Sequence, residues 1–170
     1  MGKLDYNKFL EKMTQSSASK ILKLLPAKAP AMMKEFSDIF LQNVSEEDLK
    51  QITPDVMAKT LESHWDLFKA KKKNKPSIRI YTPSKDKDGY TLGRTVIDIV
   101  QDDMAFLVDS VVAEIVRHGQ LIQTLIHPTI HVEFAKGGEP KKFIKDYQDG
   151  VTRYSMTHIE LRSAITDAQI

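Results

Sequence analysis

Residues 95–134 read TVIDIVQDDMAFLVDSVVAEIVRHGQLIQTLIHPTIHVEF, and the change of period along this stretch decides the fold. Thr95-Val96-Ile97-Asp98-Ile99-Val100 is β-rich and nearly all apolar, as an interior strand should be. The period then changes. Met104, Leu107, Val108, Val111, Val112 and Ile115 recur at intervals of three and four, which predicts a helix over Met104–His118. Asp102-Asp103 should open that helix and Gly119 should stop it in the left-handed conformation. Leu121–Ile126 reads as a strand and Pro128 as a bend. Thr129–Phe134 alternates, with Ile130, Val132 and Phe134 on one face.

On the N-terminal side of this stretch, Ile78-Arg79-Ile80-Tyr81 alternates like an edge strand ending at Pro83, and Asp86-Lys87-Asp88-Gly89 is a turn. On the C-terminal side, Gly137-Gly138 breaks the pattern, a polar loop follows, and Ser155–Leu161 alternates again. Strand–helix–strand–strand is the beginning of a ferredoxin-like βαββαβ unit, an antiparallel sheet with helix cover. The second helix and fourth strand of that plan have no counterpart, since Ala164–Ile170 is too short to supply them. The expected class is α+β, with a ferredoxin-like domain over 76–170 that is partial at its C-terminus.

Residues 1–75 should form a helical segment. Leu4, Phe9, Leu10 and Met13 suggest one helix, and Ile21, Leu22 and Leu25 a further turn or two. Met32, Met33, Phe36, Ile39 and Phe40 form one apolar stripe; Met57, Leu61, Trp65 and Phe68 form another. Ser45 stands three residues before Asp48 in a capping-box-like arrangement, and Thr53 can cap a helix with Pro54 at its first position. The lysine run Lys69–Lys75 before Pro76 reads as a solvated helix end and linker, because it lacks the interleaved aromatics of a nucleic-acid surface.

Composition narrows the function. The chain has 170 residues, 25 Lys and Arg against 23 Asp and Glu, and a formal net charge of +2, too little to argue for nucleic acid or an anionic membrane. Zero cysteines exclude a disulfide scaffold, a thiolate nucleophile and cysteine-ligated metal. No apolar run is long enough for a membrane-spanning helix, and the N-terminus lacks a secretory signal pattern, so a soluble cytoplasmic chain is expected. There is no Gly-x-Gly-x-x-Gly, no Walker loop, no nucleophile elbow and no His-Glu-x-x-His. No catalytic, cofactor-binding or metal residue is assigned on this basis.

Three features still bear on chemistry. His127 and His131 flank Pro128 at a spacing that can share a face and ligate a metal with His118 or His158, but no acid is placed to support them. Polar residues on a solvated sheet face are the plainer reading. Asp102-Asp103 exceed the one acid that a helix cap needs, which leaves a carboxylate for a cation or an amino group. Asp109 adjoins the inner stripe and can pair with a loop, Glu114 reads as solvated, and His64 as packing beside Trp65.

Taken together, Asp102-Asp103-Met104-Ala105-Phe106-Leu107-Val108-Asp109-Ser110-Val111 followed by Ile126-His127-Pro128 resembles the N-terminal region of the large bacterial NAD-specific glutamate dehydrogenases. His64-Trp65, Ile78–Pro83, Asp88-Gly89-Tyr90 and His158–Leu161 support the resemblance, which runs from about His64 to Leu161. It implies a helical segment followed by the first ACT-like domain of an enzyme that deaminates L-glutamate oxidatively to 2-oxoglutarate. NAD is then the cofactor of the parent enzyme, not of this chain. The partners implied are the rest of the dehydrogenase chain, further copies in a homo-oligomer, and an amino-acid effector.

By analogy with ACT modules, Asp102, Asp103, Met104, Ala105 and Phe106 are the effector or interface candidates, with Gly119 and Gln120 near the next strand. Ala105 departs from the family, which has proline there; the loss removes a constraint on the first helical turn. The competing readings are a free-standing amino-acid-binding protein and, from a different class, a small hydrolase or metalloenzyme using His127 and His131.

Overall fold

The protein was studied as a computed structural model that describes residues 17–146 and 148–166. The first predicted helix, around Leu4–Met13, and the last residues of the tail lie outside the described residues. Residues 17–24 are helical (α1) and are followed by α2 (Ala31–Gln42), α3 (Glu46–Gln51) and α4 (Pro54–Ala70). Ser45 caps α3: its hydroxyl accepts from the Asp48 amide at 3.1 Å and donates to the Asp48 carboxylate at 2.6 Å. Thr53 is the N-cap of α4 with Pro54 at the first position, but its hydroxyl makes no capping bond.

Beyond α4 the chain forms β1 (Ser77–Tyr81), a single helical turn α5 (Lys85–Asp88), β2 (Val96–Asp102), α6 (Leu107–Arg117), β3 (Ile122–Ile126), β4 (Thr129–Phe134), β5 (Pro140–Ile144) and β6 (Thr152–Leu161). All strand pairs are antiparallel. β1 pairs β2, β2 pairs β6, and β6 pairs both β3 and β4, which lie end to end along it on either side of His127-Pro128. β5 closes the far edge against β4. The expected α+β architecture is therefore present, with β2, α6, β3–β4 and β6 as the strand–helix–strand–strand unit. The fourth-strand position beside β2 is taken by β1, which precedes the unit in sequence.

β5 is an element that the sequence hides. Its stretch Pro140-Lys141-Lys142-Phe143-Ile144 reads as a polar loop, yet lysines and proline are what protects an exposed sheet edge. Phe143 is its one buried residue, and the Phe143 amide donates to Glu35 of α2 at 3.2 Å, which ties the helices to that edge.

The two faces of the sheet are covered unequally. On one, Val100, Ile126, Ile130, Val132, Phe143, Tyr154 and Met156 form a single core with the stripes of α1, α2 and α4. Its centre is aromatic: the ring of Phe36 lies 5.5 Å from both Trp65 and Phe143 and 5.9 Å from Phe68. On the other face α6, together with Ile165, packs against Ile97, Ile99, Ile159 and Leu161. Of the predicted inner stripe of α6 only Ile115 is fully buried; Met104 is exposed and lies before the helix. The C-terminal stop is as expected. Gly119 has φ +72°, its amide donates to Val116 and the Gln120 amide to Ile115, a Schellman closure.

Candidate functional site

The loop between β2 and α6 starts from the prediction that Asp102-Asp103 cap the helix, and here the structure corrects the sequence. α6 begins at Leu107, and the residue at its cap position is Phe106. Both acids instead face cations from other elements. Asp102, the last residue of β2, receives Lys71 Nζ at 3.0 Å. Lys71 is not a solvated linker lysine: its side chain is 3% exposed, its Nζ also donates to the Lys72 carbonyl at 3.0 Å, and it lies 5.3 Å from the centre of the Tyr154 ring. The Asp103 amide donates to the Arg153 carbonyl at 2.9 Å, and its carboxylate pairs with Arg153 Nε at 2.6 Å. Each acid is thus neutralised within the fold.

What these pairs hold in place is an exposed apolar turn. Met104 and Phe106 project outward, Phe106 at 77% exposure. Phe106 has φ +62°, a left-handed conformation that is costly for a bulky side chain. Its carbonyl nonetheless accepts from both the amide and the hydroxyl of Ser110, at 2.9 and 2.7 Å, and so starts α6 without a side-chain cap. Asp102, Asp103, Met104, Ala105 and Phe106 therefore form one continuous feature. Gly119 and Gln120 are not brought to it: they sit at the other end of α6, whose eleven residues span about 16 Å.

His127 is exposed, and among the described residues no group of three His, Cys, Asp or Glu is arranged to hold a metal ion. Asp109 is exposed, and Glu114 is bound on the surface by Arg117 and His118 of its own helix.

A second polar assembly lies inside the protein. Asp98 of β2 is fully buried. Its Oδ1 accepts from His158 Nδ1 at 2.7 Å, and its Oδ2 accepts from Ser63 at 2.6 Å and from Tyr81 at 3.1 Å. His158 Nε2 lies 3.5 Å from Glu160, which is in turn paired with Arg94 at 3.2 Å. His64 of α4 completes the group, with Nδ1 3.0 Å from the Thr60 carbonyl, Nε2 3.1 Å from the Thr157 carbonyl and Nδ1 3.9 Å from Asp98.

The protonation states follow from these contacts. Burial pushes the Asp98 carboxyl up, but the two imidazoles and the hydrogen bonds from His158 and Ser63 outweigh it and hold the group at about 2. Burial alone would lower His158; the charge of Asp98, its hydrogen bond and Glu160 raise it to about 9. His64 is pushed below its ordinary value by burial, and the imidazolium at His158 acts in the same direction against the pull of Asp98. The cluster is thus built on an aspartate–imidazolium pair of Asp98 and His158, with His64, whose pKa burial lowers, beside it. Ser63 donates to the carboxylate rather than to a histidine, so the assembly is not arranged as an activated nucleophile. Its placement joins α4 to the middle of the sheet. The signals in the sequence were an acid inside the apolar strand Val96–Val100 and polar residues at alternate positions of β6.

The comparisons with known proteins agree with this architecture. The family model for the glutamate dehydrogenase ACT1 domain matches residues 36–170. An NAD-specific glutamate dehydrogenase of Pseudomonas aeruginosa is 30% identical over 137 residues, which cover 79% of this chain and 8% of that protein. An NAD-specific glutamate dehydrogenase of Halomonas elongata is 28% identical over 102 residues, 60% of this chain and 6% of its own length. The chain thus spans less than a tenth of the length of the curated relatives it matches. No solved structure matches it significantly.

Proposed function

Since the chain belongs to the glutamate dehydrogenase ACT1 domain family, we propose that it serves as a non-catalytic regulatory and assembly module of an NAD-specific glutamate dehydrogenase. The observation that carries this reading is the family match over residues 36–170, which takes in α4 and the whole sheet. The reaction, oxidative deamination of L-glutamate to 2-oxoglutarate in the cytoplasm, belongs to the parent enzyme, as does NAD. The chain's own role is contact: with the remainder of the dehydrogenase, with further copies in a homo-oligomer, and with an amino-acid effector.

The loop Asp102–Phe106 is the contact surface in this proposal. Lys71 and Arg153 neutralise its acids and fix its path, so Met104 and Phe106, rather than a free carboxylate, are what the loop offers to a partner. That favours docking of an apolar surface over direct capture of an amino group by Asp102 or Asp103.

The test is a deletion in the Pseudomonas aeruginosa enzyme of the residues that match this chain. The deleted enzyme is expected to keep glutamate-dependent NADH formation while its oligomer or its response to amino acids changes. Loss of NAD binding on deletion, or NADH formation from glutamate by the 170-residue chain alone, would overturn the proposal.

A further inference from the structure

β1 turns its apolar side to the part of the sheet that α6 leaves bare. Its register sets Ile78 opposite Ile99 and Ile80 opposite Ile97, so both isoleucines lie on the α6 face of the sheet. Ile97 and Ile99 are 8% and 7% exposed, but the cover ends with them: Ile78 is 52% and Ile80 37% exposed. An alternating strand reserves its apolar side for a covering layer. Between α6 and β1 the surface opens into a cavity of about 230 Å³ lined by Ile80, Ile97, Ile115, Leu161 and Ile165. Its volume falls below the ~300–1,000 Å³ of small-molecule sites, and the apolar strip runs on along β1 to Ile78. The shape is a trough rather than a ligand pocket.

Two observations say what covers it. The first is the plan of the sheet. β1 fills the fourth-strand position of the βαββαβ unit, whereas the helix that belongs beside α6 is absent among the described residues. Packed helices stand about 8–10 Å apart, close to two strand spacings of about 4.8 Å. Since α6 lies over β2, β6 and β3, a helix next to it falls over β1. The five residues of β1 span about 16 Å, the length of roughly three helical turns. The second observation is the direction of the chain. After β6 the Thr95 amide donates to the Ser163 carbonyl at 3.2 Å, and the Ile165 amide donates to Thr95 Oγ1 at 2.9 Å. These bonds carry the chain past the start of β2 and set Ile165 in the trough. A segment continuing from there has no gap to bridge and acts at roughly millimolar effective concentration. A second copy lacks that advantage, and the exposed parts of two isoleucines fall far short of the ~800 Å² per partner that a stable dimer buries.

We infer that the trough between α6 and β1 receives an amphipathic helix of the parent dehydrogenase, brought in on the chain that leaves β6 and seated with its apolar stripe on Ile78, Ile80 and Ile165. The inference rests on the reading of this chain as a module of that enzyme, and it specifies where the remainder of the enzyme meets it. The helix needs an apolar residue at every third or fourth position over its length.

Isoleucine-methyl NMR tests it on two proteins: the 170-residue chain, and the same chain extended by the ~25 residues that directly follow the matched segment in the Pseudomonas aeruginosa enzyme, enough for such a helix and its approach. In the extended protein the methyls of Ile78, Ile80 and Ile165 should shift and the β1 amides should exchange about tenfold more slowly. The methyls of Ile52, Ile126 and Ile130, in the core under α1–α4, should stay where they are. Ile78→Lys should abolish the slowing in the extended protein and leave the melting temperature of the 170-residue chain unchanged. An extension that leaves Ile78, Ile80 and Ile165 unmoved overturns the inference, as do shifts at these methyls that appear in the unextended chain as its own concentration rises. Adding the 170-residue chain to a Pseudomonas aeruginosa enzyme that lacks its matched residues separates the two readings. Binding there, with the three methyls unmoved in every sample, removes the helix site and keeps the module; no binding and no shift remove both.

Discussion

Asp98 and His158 face each other across the β2–β6 pair with Oδ1 and Nδ1 2.7 Å apart and no solvent exposure on either residue. A buried ion pair carries a desolvation cost that its partners must offset, and here Ser63, Tyr81 and Glu160 take up part of the remaining hydrogen-bonding or charge capacity. Its energetic importance should therefore show most when one member is removed.

His158→Gln leaves the Asp98 carboxylate buried without its counter-charge. The expected loss is on the order of 3–5 kcal/mol, read from urea unfolding. Adding Asp98→Asn to that variant removes the orphaned charge and should recover part of the loss; a double variant less stable than His158→Gln would contradict the pairing.

The same groups set the pH dependence. His158 rises to about 9 in the folded state, so its contribution is fully present below the unfolded value near 6.5 and is lost as pH climbs through 9. His64 is lowered by burial and acts oppositely, costing stability as pH falls below that of a free histidine. Asp98 contributes above the unfolded carboxyl value and loses that contribution as pH falls towards 2. The melting temperature should peak near neutral or slightly acidic pH and decline by several degrees towards pH 9. His158→Gln should abolish the alkaline decline.

Lys71 and Asp102 give a prediction with a local readout. Ser63 of α4 and Lys71 at its C-cap are eight residues apart, about 12 Å at the helical rise, and their partners Asp98 and Asp102 are four apart on β2, about 13 Å, so helix end and strand are fastened at matched intervals. Lys71→Met keeps the packing on Tyr154 but frees the strand end. With Lys71 buried and Asp102 only partly exposed, global stability should fall by roughly 1–3 kcal/mol, while amide exchange across Asp102–Phe106 should quicken relative to the wild type.

Phe36 tests how far the helices and the sheet unfold together. Fully buried and in ring contact with Trp65, Phe68 and Phe143, it joins α2, α4 and β5. Phe36→Ala should cost roughly 3–5 kcal/mol. Both helical and sheet signals should shift together in one transition; two separated transitions would mean that the helical segment folds on its own.

Much of this could be read from residues alone. β2, β4 and β6 announce themselves by apolar runs or alternation, and α6 by its period, because one face of each is buried. Sequence chemistry puts the start of α6 three residues early because Asp102-Asp103 has the chemistry of a cap; their true partners, Lys71 and Arg153, are 31 and 50 residues away in sequence. β5 leaves no such pattern, since an edge strand needs only one apolar anchor. The buried cluster was hidden for a related reason: Asp98 meets His158 only through the register of β2 on β6, and no local pattern encodes a register.

β6 has a consequence for how the molecule is made. Among the described residues it is the last strand in sequence, yet it is the one to which β2, β3 and β4 are all joined. Until residues 152–161 have emerged from the ribosome, the earlier strands lack the template that unites them, and the edges that β2, β3 and β4 turn towards β6 stay open to other nascent chains. The helical layer shares its core with these strands, so helices and sheet close together only once β6 is available.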